Sequence, residues 1–322
     1  MSGRKHRKFA FIKPRVLIAD ALHPLFMKGI RQLGYGYDYM PEITPKQAMA
    51  IIEKYVGVVI DSRMKIDRPF IDAAKNLRFV ARAGSGMENV EVAYLQKNKI
   101  QPINSPEGNR DAVGEHTIGL LLSLLHNITK SDKEVRKRNW LREENRGEEL
   151  QGKIVGIIGY GNTGSAVAEK LSGFGVKVIA YDKYRKNFSD KFAEEVEMKT
   201  IFRIADVVSF HIPLTGETKY MVNETFLDKF EKNIYLINTS RGQILKTEAL
   251  IKSLKKGKVK KAALDVLENE NIATLTKKEL KWFDELVKSD RVIITPHIAG
   301  WSMESKEKIA KTLLDKIGKI QV

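Results

Sequence analysis

Residues 152–182 constrain this chain more than any other stretch. Residues 154–158 (Ile-Val-Gly-Ile-Ile) form an apolar run of strand length, and Gly159, Gly161 and Gly164 follow in the spacing G-x-G-x-x-G. Residues 165–171 then read as a helix of small residues, and residues 176–181 as a second β-branched run that ends on Asp182. Each position has a physical task in holding a dinucleotide. Gly159 permits the tight turn out of the strand, Gly161 lets the backbone approach a pyrophosphate, and Gly164 lets helix and strand pack closely. The amides and dipole at the helix start favour phosphate, and Asp182 can take the ribose hydroxyls. Strand, glycines, helix, strand and acid stand in register, so the chain is expected to bind a dinucleotide.

The fingerprint lies near the middle of 322 residues, which is enough chain for two domains. The stretch before it reads as an α/β unit of its own. Residues 16–19, 56–60 and 77–82 are strands, and residues 23–33 are a helix closed by Gly34. Thr44 to Gln47 has the form of a capping box with Pro45 at the first helical position. Strands that alternate with helices imply a parallel sheet, whose ligands gather at the carboxyl ends of the strands. Two such ends carry polar or glycine loops, at residues 61–63 and 84–86. Residues 104–108 (Asn-Ser-Pro-Glu-Gly) are turn-rich and read as the crossing between domains, with a long helix from about Asp111 through Leu125.

The apolar run 118–125 is far too short to span a bilayer, and the basic head Arg4-Lys5-His6-Arg7-Lys8 is cut off from a signal-peptide reading by Lys13-Pro14. There is no cysteine, and the six histidines show no metal-ligand spacing, so neither thiolate chemistry nor a metal site is expected. The chain reads as soluble and cytoplasmic. Its net charge of +16 raises the question of nucleic acid, with Lys252, Lys255, Lys256, Lys258, Lys260 and Lys261 the densest segment. No aromatic residues interleave with these lysines. Solvated cations around a site for anionic substrates are the favoured reading, and no nucleic-acid role is expected.

Beyond Asp182 the alternation continues, and each buried run delivers polar residues at its carboxyl end: His211, then Asn238 to Gly242, Asp265, and Thr295 to His297. Hydride transfer from an alcohol needs a base for the hydroxyl proton, a cation for the substrate and a group that tunes the base. His297 suits the base, because unperturbed imidazole titrates near working pH. Glu270 can pair with its second ring nitrogen and favour the protonated ring. Arg241 offers a planar fork for bidentate grip of a carboxylate.

At this point the chain resembles a family, the D-isomer-specific 2-hydroxyacid dehydrogenases, over nearly its whole length. The resemblance rests on residues 82–90 (Arg-Ala-Gly-Ser-Gly-Met-Glu-Asn-Val), on the glycine fingerprint with Asp182 and on His211-Ile212-Pro213-Leu214-Thr215. It rests further on residues 238–242 (Asn-Thr-Ser-Arg-Gly), 264–270 (Leu-Asp-Val-Leu-Glu-Asn-Glu) and 295–300 (Thr-Pro-His-Ile-Ala-Gly). It implies an α/β protein of two doubly wound parallel-sheet domains. A Rossmann-type NAD domain (107–299) would be inserted in a flavodoxin-like substrate domain (1–106, completed by 300–322). It implies Arg241, Glu270 and His297 as the catalytic residues. It implies NAD held by Gly159, Gly161, Asn162, Thr163, Gly164, Asp182, His211, Pro213, Thr239, Ser240, Asp265 and Gly300. Arg63, Gly84, Ser85 and Gly86 would meet the substrate, and a homodimer through the long helix is expected.

The chain also departs from the family's pattern. Asn271 stands where proline is usual and Leu267 where phenylalanine is. Lys246 replaces an aspartate, and Gly114 and His116 interrupt a small-apolar-acid run. The subgroup most resembled implies D-3-phosphoglycerate as substrate, in serine biosynthesis, with Arg63, Arg82 and Lys65 as the cations a phosphate would need. The alternatives are a glyoxylate or hydroxypyruvate reductase and, from another class, an NAD(H)-sensing binding protein akin to the family's corepressors.

Overall fold

The computed structural model describes residues 13–320. The basic head at residues 4–8 lies outside the described residues. The chain divides into two compact units, one running to Gly108 and resuming at Lys306, the other spanning Asn109–Ser305.

In the first unit β1 (Arg15–Ile18), α1 (Pro24–Gln32), β2 (Gly36–Tyr39), α2 (Pro45–Ile51), β3 (Gly57–Ile60), α3 (Arg68–Ala73), β4 (Phe79–Arg82), α4 (Val92–Lys97) and β5 (Gln101–Ile103) alternate. The strands form one parallel sheet in the order β2-β1-β3-β4-β5, the doubly wound order of flavodoxin-like folds. Strands covered on both faces read as continuous apolar runs, as Val16-Leu17-Ile18 does. Leu17 faces a core with Ile52, Val58 and Ile60, while Val16 and Ile18 face Phe26 and Ile30. The capping box at Thr44 forms, with Pro45 in the first turn.

The long helix α5 (Pro106–Leu125) leads into α6 (Ile128–Arg136), β6 (Ile154–Ile158), α7 (Asn162–Leu171), β7 (Lys177–Tyr181), β8 (Glu194–Glu195), α8 (Met198–Ile204) and β9 (Val207–Phe210). There follow α9 (Glu224–Asp228), β10 (Ile234–Asn238), α10 (Thr247–Lys255), β11 (Val259–Leu264), α11 (Lys277–Val287), β12 (Val292–Ile294) and α12 (Met303–Ile317). The helix α5 starts five residues earlier than the turn-rich 104–108 stretch suggests. Proline suits a first turn because its missing N–H needs no partner there. Gly108 sits inside the helix because the α12 backbone comes so close: a Cβ on it would lie 2.7 Å from Ile309 Cα. The second sheet is parallel, in the order β12-β11-β10-β9-β6-β7-β8, which is Rossmann topology. From α12, Ala310, Leu313 and Ile317 complete the first unit's core against Val16, Ile18 and Phe26. Among the described residues no helix is long and apolar enough to cross a membrane.

Candidate active site

The chain leaves β6 toward one edge of the second sheet and β9 toward the other, and these two strands are neighbours. Such a reversal opens a crevice at the carboxyl ends of the strands. Gly159 occupies it at φ +95°, where a Cβ would lie 2.4 Å from the His211 carbonyl oxygen, so glycine alone lets the strand ends approach. A Cβ on Gly164 would lie 2.0 Å from the Gly159 carbonyl oxygen. At Gly161 the same construction meets nothing within 4 Å, and no side chain caps the α7 start at Asn162 and Thr163. Open space against bare helix-start amides fits a pyrophosphate.

Asp182 directly follows β7, with its carboxylate tied to the same turn. Its Oδ2 accepts from the Tyr160 amide at 2.9 Å, and Oδ1 accepts from the amides of Tyr184 (2.9 Å) and Arg185 (3.0 Å). Oδ1 is thereby filled, and Oδ2 keeps acceptor capacity for a ribose hydroxyl. Tyr160 is a residue the sequence pattern treats as a spacer. Its ring stacks on Phe188, its hydroxyl donates to Asp190, and its carbonyl accepts from the Arg185 guanidinium. It fixes the loop after β7, a role that only its large buried ring hints at. At the end of β9, His211 is buried, with Nε2 2.8 Å from Ser209 Oγ and no partner for Nδ1. Burial pushes its imidazole down to about 4.

Three neighbouring strands deliver the proposed chemistry. Asn238 of β10 is level with Leu264 of β11, which is level with Ile294 of β12. Strands lie about 4.8 Å apart, so β10 and β12 are within reach of long side chains. The Asn238 side chain shapes the first loop: its Oδ1 accepts from the Ser240 amide and hydroxyl, and its Nδ2 donates to the Arg241 carbonyl. Arg241 Nη1 donates to the Ser240 carbonyl at 2.7 Å. Behind it, a Cβ on Gly242 would lie 1.8 Å from the Leu267 carbonyl oxygen, so this loop and the one bearing Glu270 touch through backbone.

His297 adopts a left-handed conformation, φ +56°, and its Nδ1 lies 2.8 Å from Glu270 Oε2 with both side chains about 45% exposed. Its amide donates to the Asp265 carbonyl at 2.8 Å. The Asp265 carboxylate is buried and holds the rest of the turn. Oδ1 accepts from Thr295 Oγ1 (2.5 Å) and the Ile298 amide (2.9 Å), and Oδ2 from the Ala299 amide (2.8 Å). Burial works to raise this carboxyl, but hydrogen bonds from His116, Thr295 and those amides outweigh it and hold it below the usual carboxylate range. Thr239 Oγ1 is 3.0 Å from Thr117 Oγ1, and Gly300 gives room to Asn109, whose Nδ2 would lie 2.6 Å from a Cβ there. Thr117 and Tyr160 are supporting residues that motif reading passes over, because their hydroxyls carry no spacing signal, and Thr295, quoted within its motif, also supports the turn.

In the first unit, Asp20 accepts from the Asp61 amide and from Arg63 Nε, each at 2.7 Å. Arg63 Nη2 also donates to the carbonyls of Ala19 and Pro41. Arg82 pairs with Asp61 at 3.4 Å, and Asn104 fixes the Ser85 carbonyl between Gly84 and Gly86 at 2.7 Å. Lys65 is exposed.

The positions expected to depart from the family pattern have local partners. Asn271 caps a short 3-10 turn by accepting from Ala273, Lys246 lies over the Tyr220 ring, and Gly114 gives α7 close access to α5 beside Lys170 and Ala166. The lysine-rich segment is partly paired: Lys252 and Lys256 with Glu224, Lys255 with Glu285 and Lys260 with Glu148. Among the described residues no three His, Cys, Asp or Glu side chains are grouped to hold a metal.

Comparison with known proteins agrees with the fold. The model of a family described as D-isomer specific 2-hydroxyacid dehydrogenase, NAD binding domain, matches residues 118–299. The hydroxypyruvate reductase of Thermotoga maritima is 33% identical over 273 residues, 85% of this chain and 87% of that protein. The D-3-phosphoglycerate dehydrogenase of Archaeoglobus fulgidus is 30% identical over 308 residues, 94% of this chain but 56% of that protein. Among solved structures, a D-lactate dehydrogenase from Aquifex aeolicus complexed with NAD and lactic acid superposes with a TM-score of 0.80 at 25% identity, over 94% of each chain.

Proposed function

The chain belongs to the D-isomer-specific 2-hydroxyacid dehydrogenases, NAD-dependent oxidoreductases, and from that premise we propose that it reduces a small unphosphorylated 2-keto acid, hydroxypyruvate foremost, to the D-2-hydroxy acid. The observation that carries the substrate choice is Arg63. A phosphate needs a cation besides the carboxylate clamp, yet of the three candidates the Arg63 guanidinium is turned onto Asp20 and two carbonyls and Arg82 pairs with Asp61, which leaves only the exposed Lys65. A second reading, D-3-phosphoglycerate, draws support from the match to phosphoglycerate dehydrogenase along 94% of the chain. In either case the first unit serves as substrate domain and the second as cofactor domain.

NAD(H), when bound in the β6–β9 crevice, supplies or accepts the hydride. Gly159, Gly161 and Gly164 with the α7 start hold its pyrophosphate, and Asp182 its ribose. Arg241 grips the substrate carboxylate with its planar fork. Glu270 occupies His297 Nδ1, which leaves Nε2 to give a proton to the keto oxygen in reduction and to take it back in oxidation. Reduction of hydroxypyruvate, glyoxylate and 3-phosphohydroxypyruvate with NADH tests the substrate. The highest kcat/KM is expected for hydroxypyruvate, and a higher value for the phosphorylated acid would reverse the choice. His297→Ala should cost about two to four orders of magnitude in kcat, and Arg241→Lys nearly as much in kcat/KM. A His297→Ala enzyme of normal rate would remove the acid/base assignment.

A further inference from the structure

His116 is a residue that the proposed chemistry leaves unused. It sits on α5, with Nε2 3.1 Å from Thr295 Oγ1 and 3.5 Å from Asp265 Oδ1. Thr295 has a single hydroxyl hydrogen, and the 2.5 Å contact commits it to Asp265. Its oxygen therefore accepts from His116, and Nε2 of that ring carries a hydrogen. This gives a directed chain, His116 to Thr295 to Asp265, ending on the carboxylate that receives the amides of Ile298 and Ala299 and whose own carbonyl receives the amide of His297. The left-handed turn at His297 is strained for a residue with a side chain, and such a conformation persists only where neighbours over-determine it. The next residue of α5, Thr117, reaches Thr239 in the loop before Arg241 at 3.0 Å, so one helical turn braces both loops.

We propose that His116 is a positioning residue for catalysis: acting through Thr295 and Asp265, it holds the turn from which His297 meets Glu270 and the substrate. The inference rests on His297 being the acid/base. It requires that loss of His116 act on the chemical step rather than on NADH binding.

The test is a double-mutant cycle on keto-acid reduction, with NADH affinity measured by fluorescence and folding by thermal melting. His116→Ala should lower kcat about tenfold, the equivalent of one hydrogen bond, while the NADH dissociation constant stays within about twofold. His116→Gln, whose amide can place an N–H near the former Nε2, should recover most of the rate. In a His297→Ala background, His116→Ala should lower the residual rate no further, because the group it positions is gone. His116→Asn, too short to reach Thr295, gives the same readouts should the alanine variant fail to fold. A tenfold loss that persists in the His297→Ala background, or a loss that merely tracks the folded fraction, overturns the proposal. If His297→Ala alone keeps the normal rate, it is the acid/base reading that fails.

Discussion

A methyl group on Gly242 would strike the Leu267 carbonyl 1.8 Å away, and neither partner in that contact is a side chain that can swing aside. Gly242→Ala should therefore push the Arg241 loop off the Glu270 loop, with about 1–3 kcal/mol lost from stability. A fall in kcat/KM larger than the melting shift explains would be the signature, and steady-state kinetics beside a melting curve checks it. His211 supplies a second prediction at this scale. Its buried ring titrates at about 4 against an ordinary 6.5, so between these values the unfolded chain binds a proton that the folded chain refuses. Stability should fall as pH drops from about 6.5 through about 4, by up to about 3 kcal/mol at 1.36 kcal/mol per unit. Urea titrations across that window should show a flatter dependence for His211→Asn than for the native chain. Residues of both kinds differ in how far sequence exposes them. The role of Gly159 is legible because φ +95° leaves glycine as the cheap choice. That Asp265 holds a turn is not, since its partners there include two main-chain amides whose position depends on the folded loop.

Of the three glycines in the long helix α5, Gly108 and Gly114 have opposite consequences. At Gly108 a Cβ meets backbone atoms of Ile309 at 2.7 Å, whereas at Gly114 it meets the end of the flexible Lys170 side chain at 2.9 Å and Ala166 O at 3.3 Å. Gly108→Ala should destabilise by separating α5 from α12. Gly114→Ala should be near neutral, because the gain of up to about 1 kcal/mol in helix propensity offsets moving Lys170. Melting temperatures of the two variants should diverge, and equal losses would contradict the packing described. The same helix shows why its start was misread. Local sequence at 104–108 is that of a turn, and only the approach of α12, about 200 residues downstream, makes a glycine at 108 suitable for a helix. The buried inner strands, by contrast, were legible to within a residue or two, because burial on both faces writes them as unbroken apolar runs. At the sheet edges β2, β5 and β8 are only partly buried and left no such run to read.

At the scale of the molecule, 56 basic against 40 acidic side chains leave a net charge of +16, with the paired acids Glu224, Glu285 and Glu148 already counted in that balance. An anionic keto acid is drawn toward such a surface by long-range attraction that salt screens within about 10 Å at 0.1 M. Raising ionic strength should increase KM for the keto acid with little change in kcat, and a KM indifferent to salt would confine the attraction to Arg241. The chain's order has a further consequence, for synthesis. The first unit is interrupted after Gly108 and resumes only at Lys306, and its core lacks Ala310, Leu313 and Ile317 until then. At about 5–20 residues per second, the ribosome takes about 10–40 s to cross the intervening unit. During that interval the apolar face of Val16, Ile18 and Phe26 lacks its α12 cover, so the unit begun before residue 109 cannot finish folding until the one that interrupts it has been made.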